Sequence, residues 1–154
     1  MEKFLEYLSE ATRIIKACDH MIYVSYPLIK DKKLLIKIII ELKKGVAYLI
    51  NAILQYEYIF KQIKLYKDAK SNLETFINKS AKRFNIKVQE IKILLELFDV
   101  VEIHKNSPMT FTKDEKVVIL TENMNKEIIT LEKTKEFLIA SKNLLQKTKE
   151  KIRR

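Results

Sequence analysis

Glycine occurs once in these 154 residues, cysteine once, proline twice and tryptophan not at all. So little glycine and proline leaves almost no material for tight hairpin turns or for loops that cradle phosphate. The lone Cys18 excludes an internal disulfide, and Met1-Glu2-Lys3-Phe4 opens no long apolar leader, so a reducing, cytoplasmic setting is expected. Lys37 and Glu41, or Asn51 and Gln55, interrupt the most apolar stretches well short of the roughly 18 residues that a membrane span needs. Two histidines are too few for a histidine-rich metal centre, and Glu102 and His104 stand two apart, the wrong spacing for the Glu-x-x-His pairs of di-iron bundles. No metal, no cofactor and no membrane partner is expected.

What the chain has in quantity is Leu, Ile, Lys and Glu, the vocabulary of helices, and its length suits one domain over 1–154. From Leu35 to Ile63 apolar residues fall on two interleaved seven-residue ladders: Leu35, Leu42, Leu49, Tyr56, Ile63 and Ile38, Gly45, Ala52, Ile59. That spacing predicts a long helix with one buried seam, at which Gly45 and Ala52 admit a close neighbour. Phe4, Leu8, Ala11, Ile15, Cys18 and Ile22 predict a first amphipathic helix over about 2–25, ended by Pro27. Asp31 is placed to cap the second helix, and a connection this short implies an antiparallel hairpin. Lys64 to Lys70 reads as an exposed loop, and Ser71 with Glu74 as the capping box of a short third helix ending near Asn85. Val88, Ile91, Leu95 and Phe98, flanked by Leu94, Leu97 and Val101, define a fourth helix, expected to be the most buried.

After His104 the pattern collapses. The β-branched run Lys116 to Leu120 could be a strand, but a lone strand has no partner, so 106–129 is expected to be an ordered loop with a turn or two of helix, capped by Thr112 and Glu115. The last helix carries a ladder of Leu131, Leu138, Leu145 and Ile152, but Thr134, Ser141 and Thr148 stand on its second rung. A half-polar seam predicts a fraying, solvent-facing end with a basic tail, Lys147, Lys149, Lys151, Arg153 and Arg154. The expected architecture is all-α, an antiparallel bundle of four to five helices.

A formal charge of +10 invites a nucleic-acid reading, because lysines facing phosphates release condensed counterions. Against it, only Arg13, Arg83, Arg153 and Arg154 are arginines, lysine and isoleucine are abundant together as in a biased genome, and acidic residues are interspersed. Solvated helix faces account for most of the surplus. Cys18, Asp19 and His20 are consecutive on a helix and cannot converge on one ion, and Glu96, Asp99 and Glu102 read as a solvated ridge more cheaply than as acid–base machinery. The irregular segment is the better candidate: His104, Lys105, Asn106, Ser107 and Lys113 offer donors for phosphate, and Phe111 a face for a base.

Three segments, Val-Ser-Tyr-Pro-Leu-Ile-Lys-Asp at 24–31, Ala-Lys-Arg-Phe-Asn-Ile at 81–86 and Glu-Ile-His-Lys-Asn-Ser-Pro-Met-Thr-Phe at 102–111, resemble HEPN-type helical bundles of archaeal proteins. That resemblance implies a dimeric four- or five-helix bundle, in many members a ribonuclease with an Arg and a His separated by four to six intervening residues. Counting back from His104, those positions hold Asp99, Phe98 and Leu97. Arg13 and His20 meet the bare spacing only within the first helix. A non-catalytic member follows: a module engaging RNA or a nucleotide through His104, Lys105, Asn106, Ser107, Phe111, Lys113, Lys147, Lys149, Lys151 and Arg153. The alternative is a homodimerisation or partner-docking module, suggested by the long seam and the tyrosine-rich end of the second helix; a ribonuclease ranks last.

Overall fold

Every rung of the long ladder from Leu35 to Ala52 is buried: Leu35, Leu42 and Leu49 on one rail, Ile38, Gly45 and Ala52 on the other. In this computed structural model, which describes residues 2–152, five helices and a small sheet surround the core that those residues begin. Helix α1 (Lys3–His20) is continued without a break by a π-helical turn (Met21–Ser25) and a last helical turn (Tyr26–Ile29). Helix α2 spans Lys33–Ile59. Helix α3 (Ala69–Thr75) runs on through a second π turn (Phe76–Ser80) into Ala81–Arg83, and α4 covers Val88–Lys105. Strands β1 (Met109–Lys113), β2 (Lys116–Leu120) and β3 (Lys126–Ile129) precede α5 (Leu131–Ile152).

The contacts fix the directions. Phe4 meets Tyr56, Tyr7 meets Tyr48 and Cys18 reaches the carbonyl of Ile38, so α1 and α2 are antiparallel, as the short connection implied. Asp31 Oδ1 accepts the amide of Lys33 at 2.9 Å, the expected cap. Asp19 pairs with Lys142 and Lys135 lies over the Tyr23 ring, so α5 is antiparallel to α1; Lys147 pairs with Glu90 and Lys133 with Glu96, so it is antiparallel to α4 as well. The sheet therefore sits at one end of the bundle, between the close of α4 and the start of α5. The loop after α2, the end of α3 and the carboxyl end of α5 share the other.

Several expectations are corrected. The protein is mostly helical but not all-α: β2 pairs antiparallel with β1 on one side and β3 on the other, with Phe111 opposite Val118 and Val117 opposite Ile129. The strand at Lys116 to Leu120 has two partners, and Val117, Val118 and Ile119 are all buried. Scarce glycine did not prevent tight turns, because Asp114 and Glu115 both take positive φ, the pattern of a type I′ hairpin, and Met124 does so in the next one. Thr112 and Glu115 cap nothing; Glu115 pairs with Lys32 at 2.7 Å.

Pro27 does not end α1. The i→i+5 bond from the Tyr26 amide to Met21 O widens the turn that Pro27 would otherwise obstruct, and Pro27 then falls in the first turn of the final segment, where its missing N–H is not needed. The cap of α3 is Asp68, which accepts from the amide of Ser71 at 2.9 Å and from its hydroxyl at 2.7 Å, not the pair Ser71 and Glu74. Those bonds, the hydroxyl's first, hold the Asp68 carboxyl below its ordinary pKa. Helix α4 is not the most buried, since only Leu94, Leu97 and Val100 are fully covered; its apolar residues wrap the circumference, so whichever face packs, the others stay half open. The polar rung of α5 is fully buried rather than fraying. Thr134, Ser141 and Thr148 each donate to the carbonyl four residues back, at 2.9, 2.8 and 2.7 Å, which removes the cost of burying a hydroxyl.

Candidate nucleic-acid interface

The residues proposed from sequence do not form one site. His104, Lys105, Asn106 and Ser107 stand at the carboxyl end of α4, while Lys147, Lys149 and Lys151 lie beside its amino end, and an 18-residue helix of about 27 Å separates them. Arg153 lies outside the described residues. At the sheet end the donors are used locally. Asn106 Nδ2 donates to Glu102, and Ser107 Oγ both accepts from the amide and donates to the carbonyl of Met109. The cleft beside them is lined by Glu102 and Glu122, which repel phosphate. Phe111 is half-buried in β1, and Lys113 faces a shallow cleft that mixes Lys30, Lys32 and Lys33 with Asp31, Asp114 and Glu115.

The opposite end is different in sign. Between Phe60 and Lys87 the chain carries eight basic residues and two acidic ones, and Lys147 to Lys151 adds three against one. Apart from Arg153 and Arg154, the remainder of the molecule is neutral overall. Glu57 and Glu90 also stand at this end and pair with Arg83 and Lys147, so the surplus there rests on the lysines of the loop after α2 and of α3. Lys61, Lys64, Lys67, Lys70, Lys79 and Lys82 are exposed, and none of them is ion-paired among the described residues. Elsewhere Lys32, Lys44, Lys133 and Lys142 have carboxylate partners, and exposed lysines such as Lys16, Lys37 and Lys92 stand singly among acidic neighbours rather than in a run.

Local structure sets out this end. Helix α2 closes in a Schellman turn, with Gln62 N donating to Glu57 O at 2.8 Å, Lys61 N to Tyr58 O at 3.0 Å, and Lys61 in the left-handed position usual for glycine. Helix α3 repeats the device through Ile86 N to Ala81 O and Asn85 N to Lys82 O, with Asn85 left-handed. Lys147 Nζ donates to Asn85 O at 2.8 Å and pairs with Glu90, so it ties α5 to this turn. Arg83 grips the buried carboxylate of Glu57 with both Nε and Nη2, at 2.5 and 2.8 Å, and the bond raises the guanidinium's pKa further. A cleft of about 210 Å³ lined by Arg83, Lys147 and Lys151, with Glu150, opens there. A larger one of about 350 Å³, flanked by Lys61, Lys64 and Lys79, has no carboxylate in its lining.

These lysines were missed because charge was weighed over the whole chain; a window on 60–87 alone shows eight cations against two anions. The remaining candidates are quiet. Cys18 is buried, its Sγ 3.8 Å from Ile38 O, and burial pushes the thiol up to about 12, so it is no nucleophile near neutral pH. Arg13 is exposed and held by Glu10, and His20 is exposed. No three His, Cys, Asp or Glu side chains group to hold a metal among the described residues, and no helix there is long and apolar enough to cross a membrane. No family model, curated protein or solved structure matches the chain.

Proposed function

We propose that the protein is a non-catalytic RNA-binding module whose contact surface is the lysine-rich end formed by the loop after α2, by α3 and by the carboxyl end of α5. The observation that carries this reading is the density of positive charge in the loop after α2 and in α3, where residues 60–87 carry eight cations against two anions and Lys61, Lys64, Lys67, Lys70, Lys79 and Lys82 are exposed. Clustered cations on one face supply sequence-independent affinity through counterion release, whereas the same number interspersed with carboxylates would not. The HEPN resemblance fits this reading as that of a member without the Arg and His pair: Leu97, Phe98 and Asp99 precede His104, and Arg13 is engaged by Glu10.

Anisotropy of a labelled oligoribonucleotide tests it. Affinity is expected to fall steeply between 50 and 200 mM salt, the log–log slope being about −0.7 per phosphate contacted. The triple substitution Lys64→Gln, Lys79→Gln and Lys82→Gln is expected to weaken binding roughly tenfold or more and to flatten that slope, while Lys30→Gln with Lys113→Gln at the sheet end leaves both unchanged. Salt-independent affinity, or equal losses from the two sets, would refute the proposal.

A second reading, self-association, is favoured by Tyr23, Val24, Leu28 and Ile29, exposed on the last turns of α1, at the end of the bundle opposite the lysine-rich loop. Light scattering at micromolar concentration is expected to give a dimer mass that Leu28→Asp halves; a monomer at every concentration would remove this reading.

A further inference from the structure

The larger lysine-flanked cleft carries more than charge. Tyr66 lines it, its ring about half exposed, and its backbone is held on both sides by one side chain: Tyr66 N donates to Asn72 Oδ1 at 2.8 Å and Asn72 Nδ2 donates to Tyr66 O at 2.9 Å. An exposed aromatic is ordinarily free to fold down onto apolar neighbours. Here the clamp from α3 fixes the loop that presents it, so the ring is displayed at little further cost in conformational entropy. Lys61 and Lys64 come from the same loop and Lys79 from α3, so two elements supply cations to the cleft that Tyr66 lines.

We propose that this cleft is a subsite for one unpaired nucleotide, with its base stacked on Tyr66 and its flanking phosphates on Lys61, Lys64 and Lys79, so that the protein selects single-stranded over duplex RNA. This rests on the electrostatic reading above and adds to it a demand for a base. A volume of about 350 Å³ suits a nucleotide-sized group. Stacking needs an open base face, which a duplex does not offer, and it tolerates any base because every base has one. The phosphate contacts alone would accept single strand and duplex alike.

The experiment uses the full chain and three probes of equal length: an unstructured 12-nucleotide RNA, the same strand annealed to its complement, and an abasic phosphate strand with tetrahydrofuran in place of each nucleoside. The single strand is expected to bind at least tenfold more tightly than the abasic strand and more tightly than the duplex. Tyr66→Ala is expected to abolish the preference over the abasic strand, with Tyr66→Phe retaining it; because Tyr66 is exposed, both variants should fold, which circular dichroism checks. Equal affinity for the single and abasic strands, or a preference that survives Tyr66→Ala, overturns the stacking site while leaving the electrostatic surface standing. Failure of all three probes to bind at low salt overturns both.

Discussion

Replacing Arg83 by methionine is expected to destabilise the protein by about 2–4 kcal/mol, and replacing Glu57 by leucine in the same chain to return it to within about 1 kcal/mol of the starting value. Glu57 stands in the last turns of α2 and is 2% exposed, so its carboxylate has given up nearly all its water. Arg83 replaces that water with two parallel N–H donors, a fork that lysine cannot reproduce. The guanidinium is one-third exposed and loses little hydration of its own, so the expected loss is smaller than for a pair buried on both sides. Without it the carboxylate keeps none of its side-chain hydrogen bonds and stays buried. Removing both charges leaves two apolar side chains and no buried charge without a partner. Urea denaturation reads both variants, and Arg83→Met within about 0.5 kcal/mol of the parent would show that the pair is not formed. Arg83→Lys is expected to fall between them, keeping the charge and losing the second bond.

What could be read from residue order follows from what each pattern records. The seven-residue ladder of α2 records burial directly: a helix buries one stripe, and Leu35, Ile38, Leu42, Leu49 and Ala52 are all at 0% exposure. The sheet was not legible for the opposite reason. Strand β2 buries Val117, Val118 and Ile119 in succession, on both faces of the ribbon, so it shows no apolar–polar alternation, and pairing depends on two turns whose left-handed residues are Asp114, Glu115 and Met124, none of which announces a hairpin as Asn-Gly would. Thr134, Ser141 and Thr148 misled because hydropathy scores a hydroxyl as exposed, whereas an i−4 back-bond satisfies it within its own helix and leaves a small, smooth surface for packing. The candidate site divides in the same way. The lysines of 60–87 are plain in the sequence, but Tyr66 and Asn72 form a unit only through a pair of bonds across six residues, and the carboxylates Glu102 and Glu122 meet near Asn106 only because the second hairpin folds back there.

Gly45→Leu is expected to cost about 3 kcal/mol or more, whereas Gly45→Ala should change stability by less than about 1 kcal/mol in either direction. The single glycine of the chain stands in the middle of α2, where ordinary propensity would favour alanine by about 1 kcal/mol. Packing explains its presence. A Cβ added there would lie 3.0 Å from Ile15 Cγ1 and 3.2 Å from Ile14 Cγ2, at the point where α1 presses hardest on the seam. Both neighbours are β-branched, with little freedom to turn aside, so alanine trades its gain in helix propensity against a squeeze of a few tenths of an ångström. Leucine adds three carbons beyond that Cβ with no cavity to receive them, and α1 must then move away from α2 along the antiparallel contact that also carries the Phe4–Tyr56 and Tyr7–Tyr48 pairs. Thermal and urea unfolding of the two variants together separate the terms. A leucine variant as stable as the parent would mean that the helices do not approach at Gly45, and the close packing of α1 on α2 would have to be abandoned.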